Sequence, residues 1–295
     1  MKATRLKVSK RKVAAKSTPR RKGAGATDVH PTALVAPQAE LAAGVSVGPY
    51  AIIGPRVRIG AATRIGPHAV IEGHTTIGAE NQIFQFAAIG AITPDLKYRG
   101  EDSQLVIGDR NSIREFATLH PGTAVGGMIT QLGDDNLLMP YTHVAHDCRL
   151  GNHIVMANGA QLGGHVTVQD YAVFGALVGV HQFSTIGESV MLGAGAMVPL
   201  DVPPFCNATG DRAVLHGLNL VGLRRRGFGD ETISLLKRAY RIMFRSGLKV
   251  ADAVARVRAE VPATPEVDRF VAFIENSSRG VCRPPAHAAA GDRED

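Results

Sequence analysis

Residues 47–66 read VGPYAIIGPRVRIGAATRIG: Val47, Ile53, Ile59 and Ile65 stand six apart, and each is followed by Gly. A period of six fits neither the 3.6 of a helix nor the 2 of a plain strand. It suits short strands joined by corners, with one large aliphatic residue per strand pointing inward. Working outward, the phase holds from Val29 to Ile89, resumes at Ile107, Ile113 and Leu119, and runs again in steps of six from Leu132 to Val198, for 26 hexads in all.

This is the hexapeptide-repeat pattern. The resemblance implies a mainly β fold: a left-handed parallel β-helix of triangular section, three hexads or 18 residues per coil, an exception to the usual right-handed crossover. Roughly nine coils stacked at about 4.8 Å give a prism ~40 Å long. Each coil buries its apolar face only against its neighbours, so the ends need covers.

Composition agrees with a fold of many tight corners: 33 Gly, no Trp and 5% aromatics in 295 residues. Three well-separated cysteines, Cys148, Cys206 and Cys282, indicate neither a disulfide framework nor a zinc cluster and favour a reducing compartment. No apolar run approaches a membrane span. The expectation is a soluble, cytoplasmic protein with no stable membrane insertion and no nucleic-acid partner. The net charge of +7 is unevenly placed: residues 1–27 hold ten Lys or Arg and no acidic residue, leaving 23 basic against 26 acidic groups in the rest. This arm lacks an apolar period and reads as disordered; a solvated extension, a contact for an acidic partner or nucleic acid, and an organelle-targeting sequence all remain open for it.

The prism is expected over 28–200, with excursions near 91–106 and 121–131. The first carries Pro94, Asp95, Lys97, Tyr98 and Arg99; the second, HPGTAVGGMITQ (120–131), is Gly-rich and uncharged. Loops leaving a rigid scaffold concentrate function, although tolerated insertion explains either equally well. A helical domain is expected over 201–284, after the ProProPhe boundary at 203–205. Its helices run from a cap at Asp230 to about Phe244, over 249–258, and over 265–274 with Pro265 in the first turn. Residues 285–295 read as a disordered tail.

With 18 residues per coil, His146, Gly164 and Gln182 share one column. Asp147, His165 and Phe183 share the next, and Ala145, Gly163 and His181 the one before. His143, His146, His165 and His181 thus gather on one strip with a carboxylate. An imidazole beside a carboxylate suits general-base catalysis, because the carboxylate fixes the tautomer and stabilises the imidazolium. Gly164, one coil from His146, offers an unshielded backbone N–H to an oxyanion. A substrate hydroxyl can attack directly, so Cys148 is assigned to corner packing. Zinc on the same histidines is the competing reading; the strip is assigned to proton transfer, with no metal.

DLKY (95–98), IGDRNSIRE (107–115), DNLLM (135–139), HVAHDC (143–148), LGGHV (162–166), VHQF (180–183), DVPPF (201–205) and RRGF (225–228) together resemble the UDP-N-acetylglucosamine O-acyltransferases, over residues 28–282. The resemblance implies a cytoplasmic homotrimer with sites between parallel prisms. Its members transfer an (R)-3-hydroxyacyl chain from the phosphopantetheine of acyl carrier protein to the 3-hydroxyl of UDP-N-acetylglucosamine, the first step of lipid A synthesis, with no cofactor. By motif, His146 is the base, Asp147 its orienting partner and Gly164 the oxyanion donor. Asp95 and Lys97 contact the sugar nucleotide with His143 nearby, arriving across a subunit boundary. His165 and Gln182 line the cleft, and His181 supports it. Asn219, Arg225 and Arg226 stand where nucleotide and pantetheine are held, a basic rim suited to an acidic carrier.

Two departures matter. Val221 replaces a glutamate common in the family. Ala194, where a groove-floor glycine is common, and bulky Met191 imply a preference for short or medium acyl chains. The alternatives are the related N-acyltransferase, expected to carry a uridine-binding domain before the prism, a metal-dependent hydratase of the carbonic anhydrase type, and a non-catalytic β-helical scaffold.

Overall fold

Each hexad aliphatic ends a short strand, from Asp28–Val29 through Met197–Val198. The computed structural model describes residues 25–285; the basic arm up to residue 24 and the tail from 286 lie outside the described residues. The strands form three sheets of 11, 9 and 8 members, and in the prism all pairing is parallel. Partners stand one coil apart, as in Ser46 with Arg64 and Val47 with Ile65. The result is a left-handed parallel β-helix whose hexad aliphatics from Val47 onward, Ile53, Ile71, Ile89 and Leu119 among them, are buried in columns, while Val29 at the open end is exposed.

The corners explain the repeat. The residue three after an aliphatic takes a left-handed backbone at Tyr50 (φ 57°), His68 (57°), Asp147 (61°), His165 (60°) and their equivalents. Unbranched, polar or aromatic side chains tolerate this region better than β-branched ones. Along one edge, Tyr50, His68, Phe86, Phe116 and Tyr141 stack at 4.9–5.1 Å between ring centroids, the spacing of the coils themselves.

Register locates the insertions. Gln82 pairs with Ser112, 30 positions on instead of 18, so 12 residues loop out. Ser112 pairs with Leu137, 25 on, so a further 7 loop out. The first insertion lies between strands Ala88–Ile89 and Gln104–Ile107, the second between Thr118–Leu119 and Ile129–Leu132. Both therefore leave the edge between the nine-stranded and eight-stranded sheets. The turn carrying His146 and Asp147, between His143–Val144 and Arg149–Leu150, is the next along that edge.

After Val198 a hairpin of Cys206–Thr209 and Val214–Leu218 continues the 11-stranded sheet. Helices α1 (Leu220–Arg225), α2 (Asp230–Arg245), α3 (Val250–Glu260) and α4 (Pro265–Asn276) follow. Helix α1 was not expected from sequence. Asp230 is the first residue of α2 and not its cap, which is Gly229; its charge faces the positive end of the helix dipole instead. Pro265 opens α4 as expected, with Thr264 as cap. Buried Asp201 ties this domain to the prism, accepting from Thr185 N–H at 2.7 Å and Ser277 Oγ–H at 2.6 Å. Among the described residues no helix is long and apolar enough to cross a membrane.

Ile113 is fully buried and Ile92, on the first insertion, is 73% exposed. Ile113→Ala should destabilise by about 2–5 kcal/mol, lowering the thermal midpoint, while Ile92→Ala should leave it unchanged; equal effects would contradict an interior built on the hexad columns.

Candidate active site

The dyad turn is held from three sides. His146 Nδ1 lies 2.8 Å from Asp147 Oδ2. The Asp147 side chain is wholly buried and accepts from Thr123 N–H at 2.8 Å (Oδ1) and Thr123 Oγ–H at 2.6 Å (Oδ2). Asp147 N–H donates to Thr130 Oγ1 at 2.7 Å. Thr123 comes from the second insertion and Thr130 from the strand that follows it, Ile129–Leu132, so the insertion is a support for Asp147 and not a passive addition. Composition singled out neither residue, because nothing in HPGTAVGGMITQ says where the loop folds.

The first insertion arches over the other side of the imidazole. Asp95 Oδ2 lies 4.0 Å from His146 Nε2, and Asp95 Oδ1 accepts from Lys97 N–H at 2.9 Å. This corrects the expectation that Asp95 arrives across a subunit boundary: both insertions leave the same edge of the same chain, one and two coils before His146. Lys97 is exposed, and its charge is felt at His165.

The 18-residue columns hold. Gly164 packs beneath the His146 ring so closely that a Cβ there would fall 2.5 Å from Cε1 and 2.6 Å from Nε2. Among the described residues no acceptor takes the Gly164 N–H. His165 lies edge-on to His146 at 5.1 Å and stacks on Phe183 at 4.3 Å; burial pushes its ring toward the neutral form, with Asp147 opposing. His181 Nδ1 sits 2.7 Å from an Arg279 guanidinium nitrogen. The same Nδ1 lies 3.0 Å from the Gln182 C=O, so it faces a guanidinium donor and a carbonyl acceptor together. Arg279 went unnoticed in the sequence because it is 98 positions away. Gln182 is exposed beside it. Cys148 is buried, donates to Gly163 C=O at 3.2 Å, and has its thiol pushed up to about 12 by burial, which suits packing and not nucleophilic attack.

A groove of ≈ 530 Å³ runs beside the strip, lined by His143, Gln161, Gly163, His181, Met197 and Arg212 among others, within the size range of small-molecule sites. Met191 and Ala194 do not line it. They lie on the 11-stranded sheet and at the turn following it.

The remaining site residues sit at a different edge. Arg226 stacks on Tyr171 at 3.6 Å and reaches Ser189 Oγ, both at turns after the eight-stranded sheet. Asn219 caps α1, accepting from Gly222 N–H and donating to Ser189 C=O, each at 3.0 Å. Arg225 and Val221 are exposed on α1. One chain therefore carries two half-constellations, the histidine strip and an arginine edge.

His146, Asp147 and His165 each bring a ring nitrogen or carboxylate oxygen within 4.8 Å of the others, and Asp147 Oδ2 is engaged by His146 and Thr123. His143 accompanies the strip as a neutral ring, bonded to Thr118 Oγ1 at 2.7 Å. Burial first, then the His120 and His146 rings, lower its pKa from 6.5 to about 4. The folded chain thus binds this proton less readily than the unfolded chain. The resulting stability is present above about 6.5 and is lost as pH falls toward about 4. An NMR titration should find this imidazole neutral until about pH 4; protonation near the ordinary histidine value would contradict the burial.

Comparison with known proteins follows the same lines. The model of a family described as UDP N-acetylglucosamine O-acyltransferase, domain 2, matches residues 201–282. An acyl-[acyl-carrier-protein]–UDP-N-acetylglucosamine O-acyltransferase of Trichlorobacter lovleyi is 57% identical over 68% of this chain and 78% of its own length. That of Myxococcus xanthus is 54% identical over 86% and 99%. Among solved structures, LpxA from Acinetobacter baumannii superposes with a TM-score of 0.85 at 42% identity, covering 86% of this chain and 99% of that one. The Francisella novicida UDP-N-acetylglucosamine acyltransferase gives 0.84 at 37%, covering 90% and 100%. With such identity along the prism and the helical domain alike, this chain belongs to the acyl-[acyl-carrier-protein]–UDP-N-acetylglucosamine O-acyltransferase family.

Proposed function

We infer that the protein transfers an (R)-3-hydroxyacyl chain from acyl carrier protein to the 3-hydroxyl of UDP-N-acetylglucosamine, the first step of lipid A biosynthesis. The observation that carries the mechanism is the His146–Asp147 contact at 2.8 Å with Gly164 beneath the ring. His146 Nε2 takes the proton of the sugar hydroxyl as its oxygen attacks the thioester carbonyl carbon. Nδ1–H stays bonded to Asp147, which stabilises the imidazolium. The Gly164 N–H faces the oxyanion. When the C–S bond breaks, the imidazolium returns the proton to the departing pantetheine thiolate, and base and charge balance are restored. No step calls on a metal or nucleotide cofactor; the acyl donor rides on its own carrier.

Asp95 and Lys97, with His143 nearby, suit the sugar nucleotide, since Lys meets a pyrophosphate and Asp accepts from sugar hydroxyls. His165 and Gln182 line the cleft, and His181, fixed by Arg279, supports it. The nucleotide and pantetheine contacts assigned to Asn219, Arg225 and Arg226 stand at another edge, and exposed Val221 adds no polar contact there. A homotrimer of parallel prisms, working in the cytoplasm, would set the arginine edge of one copy against the histidine strip of the next. Its exposed basic groups suit an acidic carrier protein.

His146→Ala should lower turnover by about 10²–10⁴-fold with the fold intact; near-normal turnover would reject it as the base. Ala194 and Met191 lie outside the groove of the single chain, and would favour short or medium acyl chains where a neighbouring prism closes a slot over them, a methyl there being worth about 1–3 kcal/mol against longer ones. Carrier protein loaded with ten- to sixteen-carbon chains gives the comparison, and fastest turnover on the longest chain would reject that preference.

A further inference from the structure

The second insertion does more to the dyad than cover it. Thr123 lies 24 positions before Asp147 in sequence yet makes two bonds to its carboxylate, one to each oxygen. Its hydroxyl donates to Oδ2, the same oxygen that faces His146 Nδ1. Thr123 is 2% exposed, so water does not stand in for either bond. The loop is itself pinned: Met128 N–H and Gly126 N–H donate back to Thr123 C=O at 2.9 and 3.1 Å, and Gly122 N–H donates to Gln104 C=O at 3.2 Å. Gly126 lies flat against the carboxylate, where a Cβ would fall 1.9 Å from Asp147 Cγ.

We propose that Thr123 is a positioning residue for the acyl transfer, forming with Asp147 and His146 a three-member chain in which its hydroxyl fixes the carboxylate rotation and limits the negative charge Asp147 presents to the imidazole. This rests on His146 acting as the base. Two donors on two oxygens leave the carboxylate one orientation, so Oδ2 meets Nδ1 and the unprotonated Nε2 is aimed at the substrate. A buried network of this kind holds its geometry only while every member is satisfied. Without the hydroxyl, Oδ2 loses its neutral donor, and its unshared charge falls on the imidazole alone.

The test compares Thr123→Val, which keeps the shape and removes the hydroxyl, with Thr123→Ser, which restores it, and with His146→Ala. Leaving a buried charged acceptor one donor short costs roughly 10- to 100-fold where that acceptor orients the reacting group. Thr123→Val should lose this from kcat with KM for UDP-N-acetylglucosamine little changed. The acid limb of its pH–rate profile should move to higher pH, because an unrelieved carboxylate favours the imidazolium. Thr123→Ser should recover most of the rate and the original profile. Should the valine variant not fold, Thr123→Ala carries the same comparison, and in either the downfield imidazole N–H resonance should shift from its position in the unaltered protein. Full activity and an unmoved profile in Thr123→Val, alongside an inactive His146→Ala, would overturn the proposal and leave the base intact. Activity retained in His146→Ala would overturn the base itself.

Discussion

Everything in this molecule depends on the hydrogen bonding between coils, which locks residue n against residue n+18. A slip of one position would turn every hexad aliphatic outward, so the chain has no freedom to absorb extra residues within a strand. Additional length must escape at an edge. Both insertions escape at the same edge, and the His146 turn follows one coil later. A loop rooted on the edge next to the dyad needs no long reach to lie on it. The catalytic strip is therefore a consequence of where the helix of strands was interrupted.

The periodicity made the prism legible almost residue by residue, since a buried column of aliphatics leaves a mark that no other architecture reproduces. The histidine strip was legible for the same reason: 18-residue arithmetic is enough to set His146 over Gly164. What could not be read was direction. Residue types in the second insertion are those of any polar loop, and only the fold shows Thr123 under Asp147. The first insertion was wrongly sent to a neighbouring subunit, because its charged residues suit a ligand but carry no period to tie them to their own coil. Helix α1 escaped notice because six residues containing Gly222 make no amphipathic pattern, and its stability comes from the Asn219 cap and burial of Leu223.

The dyad also shows how a carboxylate can be buried without being wasted. Taking a charge out of water is costly unless each lone pair finds a donor. Asp147 has the Thr123 N–H, the Thr123 hydroxyl and the His146 ring. The 2.8 Å contact to Nδ1 and the 4.0 Å approach of Asp95 to Nε2 set the two imidazole nitrogens in unequal surroundings. The nitrogen with the close, buried acceptor is the one suited to carry the ring proton, and the other faces Asp95 from the first insertion.

Two glycines complete this arrangement, for a reason that turn propensity alone does not supply. Neither Gly164 nor Gly126 has a positive φ, so backbone strain does not require glycine at either place. Space does. A methyl at 164 would strike the imidazole, and a methyl at 126 would strike the carboxylate. His146 and Asp147 are thus clasped between two stretches of bare backbone, one from the next coil and one from the inserted loop. The lack of a side chain lets the backbone approach this closely and leaves the Gly164 N–H uncovered. A side chain at either position would displace one member of the pair and separate the imidazole from the carboxylate bonded to it.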